Sequence, residues 1–405
     1  MESIRNIFKI GLGPSSSHTM GPRKAAEIFK ERTHDASAYR VTLYGSLAAT
    51  GKGHLTDRAI ESALTPKPVQ ILWRADIVPQ YHTNGMLFES LDEKGNVQQN
   101  WMVYSIGGGF LSEGENSKTV EEDIYALRTI QDIKSYIIDE GIPYWKYVDR
   151  HEKADIWDYL QKVWDQMQQS VEDGLRNDDV LPGCLHLRSK AKQYFVRASS
   201  LKPSLQSRSL VMAYALAVSE QNARGGMVVT APTCGSCGVL PAVLYHMKKN
   251  HDFKDDDILK ALATAGLFGN VIKTIASLSG AEVGCQGEVG SACVMAAAAV
   301  NQLFGGSPLQ IECAAEMAME HNLGLTCDPI CGLVQVPCIE RNALAALRAL
   351  DVSLYALLGD GSHFIPFDKV IETMKRTGKD LPDIYKETSE GGLAALACQY
   401  YKNSR

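Results

Sequence analysis

From Ile124 onward the apolar residues of this chain recur at helical spacing, and before that point they do not. Ile124, Leu127, Ile130, Ile133 and Ile137 form one stripe and Ile156, Leu160, Val163, Met167 and Val171 another, each consistent with one buried face of a helix of period 3.6. Further helices are expected over 210–221, 257–275, 290–304 and 340–350. The acidic run at 255–257 suits the N-terminal end of its helix dipole. The first hundred residues read differently. Segments 39–43 and 69–73 have the composition and alternation of strands, and 86–106 reads as a hairpin turning at Lys94-Gly95-Asn96. The polar stretch 112–118 lacks apolar periodicity. The chain is therefore expected to be an α+β N-terminal domain (1–112), a linker (113–120) and an all-α domain (121–405).

The 405 residues, 45% hydrophobic and 22% charged, suffice for two cores. A net charge of -6 leaves no electrostatic footprint for nucleic acid or an anionic membrane surface. The N-terminal residues contain neither an apolar core of signal-peptide length nor an arginine-rich presequence, so a cytoplasmic location is expected. Two uncharged stretches, 226–247 and 289–311, are interrupted by Pro232 and Pro241 and by Gly305, Gly306 and Pro308. They read as tightly packed buried helices and turns, not membrane spans.

The most unusual local sequence is Gly13-Pro14-Ser15-Ser16-Ser17-His18-Thr19-Met20-Gly21-Pro22. Three serines before a helix place hydroxyls and free N–H groups where a carboxylate binds well, with His18 beside it. A capping segment with an exposed histidine is the plainer alternative. His54 lies in Gly51-Lys52-Gly53-His54, again beside glycines that allow close backbone approach.

Ten cysteines are too few for a disulfide-stapled scaffold of this length, and eight fall within 234–338. Cys285, Cys327 and Cys338 each lie beside a turn residue or helix end, where a thiolate finds donors. Their spacings of 42 and 11 residues match no zinc knuckle or ferredoxin run, so any shared ligand must be assembled by the fold. Cys234 and Cys237 form a C-x-x-C that suits a redox or zinc pair, with packing the alternative. Cys331 is one helical turn from Cys327, a spacing that also permits ligation. Cys184, Cys293 and Cys313 are expected in the core.

Taken together, GPSSSHTMGP, GKGH, YSIGGGF, VVTAPTCGSCGVLPAV, GCQGEVGSAC, GLTCDP and VQVPCIERN resemble the bacterial iron-sulfur L-serine dehydratase family in its single-chain form. The resemblance implies a [4Fe-4S] cluster held by Cys285, Cys327 and Cys338. It implies a fourth ligand near the C-terminus in a Gly-Gly-Leu-Ala context, here Cys398, one residue nearer the glycines than the family pattern and followed by seven residues. It further implies elimination of water from L-serine to give pyruvate and ammonia, and a homodimer. In this reading Ser15, Ser16 and Ser17 bind the substrate carboxylate, and His18 or His54 removes the Cα proton, histidine having a suitable pKa. An open iron would act as Lewis acid on the leaving hydroxyl. Three rivals remain open on the sequence: a cluster-dependent lyase acting on cysteine, a non-catalytic iron-sulfur sensor, and a structural zinc protein.

Overall fold

A computed structural model describes residues 1–114 and 123–403, the side chains as far as residue 397. The linker expected at 113–120 lies almost wholly outside the described residues. The N-terminal part contains β1 (Ile10–Leu12), α1 (Gly21–Arg32), β2 (Ala38–Tyr44), α2 (Gly45–Thr50), α3 (Thr56–Leu64), β3 (Val69–Arg74), β4 (Gly85–Leu91), β5 (Val97–Ser105) and β6 (Leu111–Ser112). Five strands form one sheet in the order β3-β2-β4-β5-β6. β2 and β3 are parallel, with Tyr39 opposite Val69, and so need a crossover, which α2 and α3 supply. β4 and β5 form the expected hairpin. Its turn is closed by the Asp92 carboxylate, which accepts from the N–H groups of Lys94 and Asn96 at 2.9 and 2.8 Å. Gly95 occupies the left-handed region there at φ 81°. Ala25, Ala26 and Phe29 of α1 and Ile60 and Leu64 of α3 share a core with Val41, Leu43 and Phe88 of the sheet.

The rest is helical: α4 (Ile130–Asp139), α5 (Tyr144–His151), α6 (Ile156–Arg176), α7 (Ala191–Ala198), α8 (Pro203–Ala223), then the short β7 (Met227–Val229), α9 (Val239–His251), α10 (Asp255–Ile275), α11 (Gly280–Val283), α12 (Ser291–Leu303), α13 (Pro308–Glu320), α14 (Cys338–Leu358), α15 (Phe367–Asp380) and α16 (Gly392–Asn403). The α+β then all-α layout expected from the sequence is the one found. α10 is long and apolar enough to cross a membrane, yet 78% of its apolar window is buried inside the fold. Beside it runs α12, whose Ala296–Ala299 are fully buried. Small side chains on α12 allow this close approach. Glycine does the same where α6 meets α8, since a Cβ on Gly174 would lie 2.1 Å from the Ala217 carbonyl oxygen.

Two local expectations are corrected. Ile124 and Leu127 do not extend the first helical stripe, because α4 starts only at Ile130. Thr129 caps it by accepting from Asp132 N–H at 3.1 Å, while Ile124 N–H donates to the Met1 carbonyl. The N-terminal residues also leave the sheet: Met1, Ile4, Ile7 and Phe8 belong to the helical core, and β1 pairs antiparallel with β7. The start of the chain thereby ties the two parts together.

The second cap of α4 comes from α15. Both Asp368 carboxylate oxygens accept, from Ile130 N–H and Gln131 N–H, each at 2.9 Å. Asp368→Ala is expected to lower unfolding stability by roughly 1–2 kcal/mol, read as a shift of the urea midpoint at unchanged slope.

His246 supplies a pH-dependent counterpart. Burial, and secondly the neighbouring His251, lower its pKa to about 4, and it is held neutral between the Ser207 hydroxyl at 2.9 Å and Asn250. Its contribution to stability is complete above pH 6.5, the unfolded value, and is lost progressively as pH falls to about 4. Over that window the wild type should lose up to about 3 kcal/mol through this residue. His246→Gln should flatten the acid side of the stability curve; an unchanged slope would refute the assignment.

Candidate active site

The serine-rich motif forms a π-helical turn, Ser16–Met20, that runs directly into α1. Such turns are rare and concentrate at functional sites. Ser15 caps it, its hydroxyl accepting from His18 N–H at 3.1 Å. Ser15, Ser16, Ser17 and His18 are all buried, so the exposed-histidine alternative does not hold. Ser17 Oγ lies 2.8 Å from His18 Nδ1 and 3.3 Å from Ser15 Oγ. The Ser16 hydroxyl has no hydrogen-bond partner among the described residues.

His54 comes to the same place from the turn between α2 and α3. Thr19 Oγ1 donates to the His54 carbonyl at 2.7 Å and Thr56 Oγ1 to the His18 carbonyl at 2.6 Å. The two rings face each other with centroids 4.5 Å apart. Their hydrogen bonds differ. His54 Nδ1 is 3.2 Å from the Thr50 carbonyl, which can only accept, so Nδ1 carries the proton and Nε2 presents its lone pair. His18 is engaged at both nitrogens, with Nε2 3.1 Å from Ser46 Oγ. The Ser46 hydroxyl donates to the Glu387 carbonyl at 3.4 Å, so the network assigns the Nε2 proton of His18 to Ser46. Burial lowers both pKa values, that of His54 to about 4. His18 is held well below the usual histidine range by burial first and His54 second. Both imidazoles are neutral at pH 7.

Opposite the histidines lie the cysteines. Cys285 precedes a second π-helical turn, Gln286–Gly290. Cys338 is the first residue of α14. Cys327 lies in an extended segment whose N–H donates to Tyr385 O and whose carbonyl accepts from Glu387 N–H, both at 2.7 Å. All three are buried. Cys285 Sγ, Cys327 Sγ and a Glu288 carboxylate oxygen lie within 4.8 Å of one another, the carboxylate 3.7 Å from Cys327 Sγ. A hydrogen bond from the Cys327 thiol, with help from Arg341, holds the Cys285 thiol below the usual range despite its burial. The same bond and burial push Cys327 up, and burial pushes Cys338 up. Burial thus opposes ionisation of Cys327 and Cys338, and holding all three as thiolates requires additional positive charge. Room is preserved by Gly280, where a Cβ would lie 2.7 Å from Glu288 Oε2 and 3.1 Å from Cys327 Sγ. A soft donor set with unmet demand for cationic charge fits an iron-sulfur cluster.

The other cysteines are set apart by their surroundings. Cys293 and Cys313 are in the core as expected, but Cys184 is exposed on the loop before α7 and not in the core. Cys331 is also exposed and sits at φ 57°. Cys234 and Cys237 are buried without a disulfide, Cys234 Sγ being 3.8 Å from Met20 Sδ. The side chain of Cys398 lies outside the described residues. Its helix α16 starts beside the centre, Leu393 N–H donating to Asp328 Oδ2 at 2.6 Å. Sequence reasoning did not single out Glu288, Arg341, Ser46 or Glu387. Glu288 and Arg341 lie inside the quoted GCQGEVG and VQVPCIERN motifs, whereas Glu387 carries no local signal. A cavity of about 530 Å³ lies elsewhere, between Lys24, Trp101, Phe110 and Lys273. It is separated from the histidines by the Gly107–Gly109 loop, where a Cβ on Gly109 would lie 3.7 Å from Ser16 O.

The serine dehydratase beta-chain model matches residues 3–69 and the serine dehydratase alpha-chain model residues 41–394. The chain belongs to the serine dehydratase family. It is similar to the L-serine dehydratase of Streptomyces coelicolor, 40% identical with 97% of this chain and 98% of the relative covered. The L-serine dehydratase of Haemophilus influenzae is 40% identical over 97% and 99%, and L-serine dehydratase 2 of Escherichia coli 40% over 98% and 100%. Serine dehydratases of this kind therefore carry both parts on one chain. The first alignment runs to 447 positions against 97% of 405 residues, so that relative has internal segments that this chain lacks.

Proposed function

We propose that this chain is an L-serine ammonia-lyase that eliminates water from L-serine, giving pyruvate and ammonia, with a [4Fe-4S] cluster held by Cys285, Cys327 and Cys338. The observation that carries the reading is that two buried histidines, His18 and His54, are joined through Glu387 to a buried centre in which Cys285, Cys327 and Glu288 converge from distant parts of the chain, with Cys338 buried beside it. Bound there, the cluster supplies a Lewis-acidic iron that eases departure of the serine hydroxyl. The substrate carboxylate is received at the start of the Ser16–Met20 turn, where no other described residue bonds the Ser16 hydroxyl and the helix dipole favours an anion. His54 is the base, its Nε2 lone pair directed by the Nδ1–H to Thr50 bond. His18, bonded at both nitrogens, orders the serine turn and backs the His54 ring. The enamine product tautomerises and hydrolyses in water without further catalysis. Cys398, on the helix that begins at the Cys327 loop, is the proposed fourth ligand in the resting enzyme. A homodimer accords with exposed apolar residues on α14, where Leu344, Tyr355 and Leu358 are 62, 67 and 81% exposed. A reducing, cytoplasmic setting accords with nine cysteines free of disulfides.

The deciding experiment is anaerobic purification followed by a pyruvate-release assay on L-serine, with L-cysteine and D-serine in parallel and a repeat after exposure to air. A brown protein that releases pyruvate from L-serine and loses that activity in air is expected. A brown protein inert towards serine would overturn the reaction, and a colourless one the cluster.

A further inference from the structure

Glu387 stands between the two halves of the candidate site. Its N–H donates to the Cys327 carbonyl at 2.7 Å, which fixes its backbone to the cysteine segment. Its own carbonyl accepts from the Ser46 hydroxyl at 3.4 Å, and Ser46 Oγ is 3.1 Å from His18 Nε2. Its carboxylate Oε1 lies 3.8 Å from His18 Nδ1. One residue therefore faces both nitrogens of the same imidazole, directly at Nδ1 and through Ser46 at Nε2, while its backbone is anchored at the cysteines.

Two further features set this residue apart. Its backbone has φ 59°, a left-handed conformation unfavourable for a long side chain, and such strain persists only where the surroundings impose it. The side chain is also buried, at 8% exposure, although a glutamate at a strained surface turn would ordinarily extend into water. The neighbouring chain is pinned to the same loop, Ser389 Oγ donating to Pro329 O at 2.7 Å. A turn needing only the backbone conformation would be better served by glycine, so the side chain is what this position retains.

We propose that Glu387 is a positioning residue that fixes His18, and through it the ring of His54, relative to the cysteine centre. The inference rests on the reading of the histidines and cysteines given above. Its consequence is that the C-terminal segment is part of the catalytic geometry and not merely a cover over it.

Glu387→Gly separates side chain from backbone, since it removes the carboxylate and relieves the strain. Glu387→Gln keeps a hydrogen-bonding side chain of the same size, and Ser46→Ala removes the Nε2 arm. Each holoenzyme would be prepared anaerobically and compared with wild type for iron content, visible spectrum, thermal midpoint, KM and kcat on L-serine. The expected result for Glu387→Gly is wild-type iron and spectrum, an equal or higher midpoint, KM within about two-fold and kcat lower by roughly 3- to 10-fold. Glu387→Gln should be partly rescued, and Ser46→Ala should lower kcat without lowering iron. A kcat of Glu387→Gly within about two-fold of wild type would overturn the proposal. So would a loss of kcat that merely follows iron or the midpoint downward in all three variants. Wild-type protein inert towards serine would instead refute the underlying function, and is thereby distinguished from failure of this inference.

Discussion

Changing any one of Cys285, Cys327 and Cys338 to serine is expected to yield a chain that folds but holds less iron and dehydrates serine at least ~10³-fold more slowly. The substitution is nearly isosteric, and each position lies in a local structure that a hydroxyl tolerates: before a π-helical turn, in a paired extended segment, and at the first turn of α14. What changes is the donor. A thiol ionises far more readily than an alcohol and its sulfur is a soft donor, whereas a serine hydroxyl stays protonated and is a poor partner for soft iron. Cys293→Ser and Cys331→Ser are the controls, the first in the α12 core and the second exposed, and both should keep full iron. Iron per chain and visible absorption of anaerobically prepared protein measure the effect. Wild-type iron in any one of the three ligand variants would remove that residue from the ligand set.

How much of this could be read beforehand depended on the range of the physical signal. The hairpin 86–106 and the buried stripe of α6 were legible because alternation and helical spacing are local consequences of backbone geometry. The stripe from Ile124 misled because apolar spacing does not locate a helix start. The Thr129 cap and the bonds from Asp368 do, and Asp368 is 238 residues away from Ile130. Cys184 was expected in the core from its apolar neighbours, yet it sits on an exposed loop where residue composition says little about facing. The cysteines and histidines were found because their residue types are rare and their motifs long. Glu387 was not, since one glutamate among 47 acidic residues has no distinguishing context. Its role arises from a left-handed backbone and an N–H bond to the Cys327 carbonyl, both visible only once the chain is folded.

The sequence leaves the choice of base between His18 and His54 open, and the structure predicts that they are unequal in function. His54→Ala is expected to lower kcat roughly 10²- to 10⁴-fold, with iron content and visible spectrum unchanged, because no cysteine of the centre is bonded to its ring. His18→Ala should cost less in kcat, roughly 10-fold, through loss of ring support. It should cost more in stability, since Ser17, Ser46 and Glu387 lose their shared partner. The distinction follows from protonation: His54 Nε2 presents a lone pair, whereas both nitrogens of His18 are committed to serines. It also sets the pH dependence. A histidine titrating at about 4 is already deprotonated at pH 6, so the acid limb of kcat/KM should lie well below 6.5 and move as the base is altered. A rate already halved near pH 6.5, or a greater kcat loss in His18→Ala than in His54→Ala, would transfer the role of base from His54 to another group.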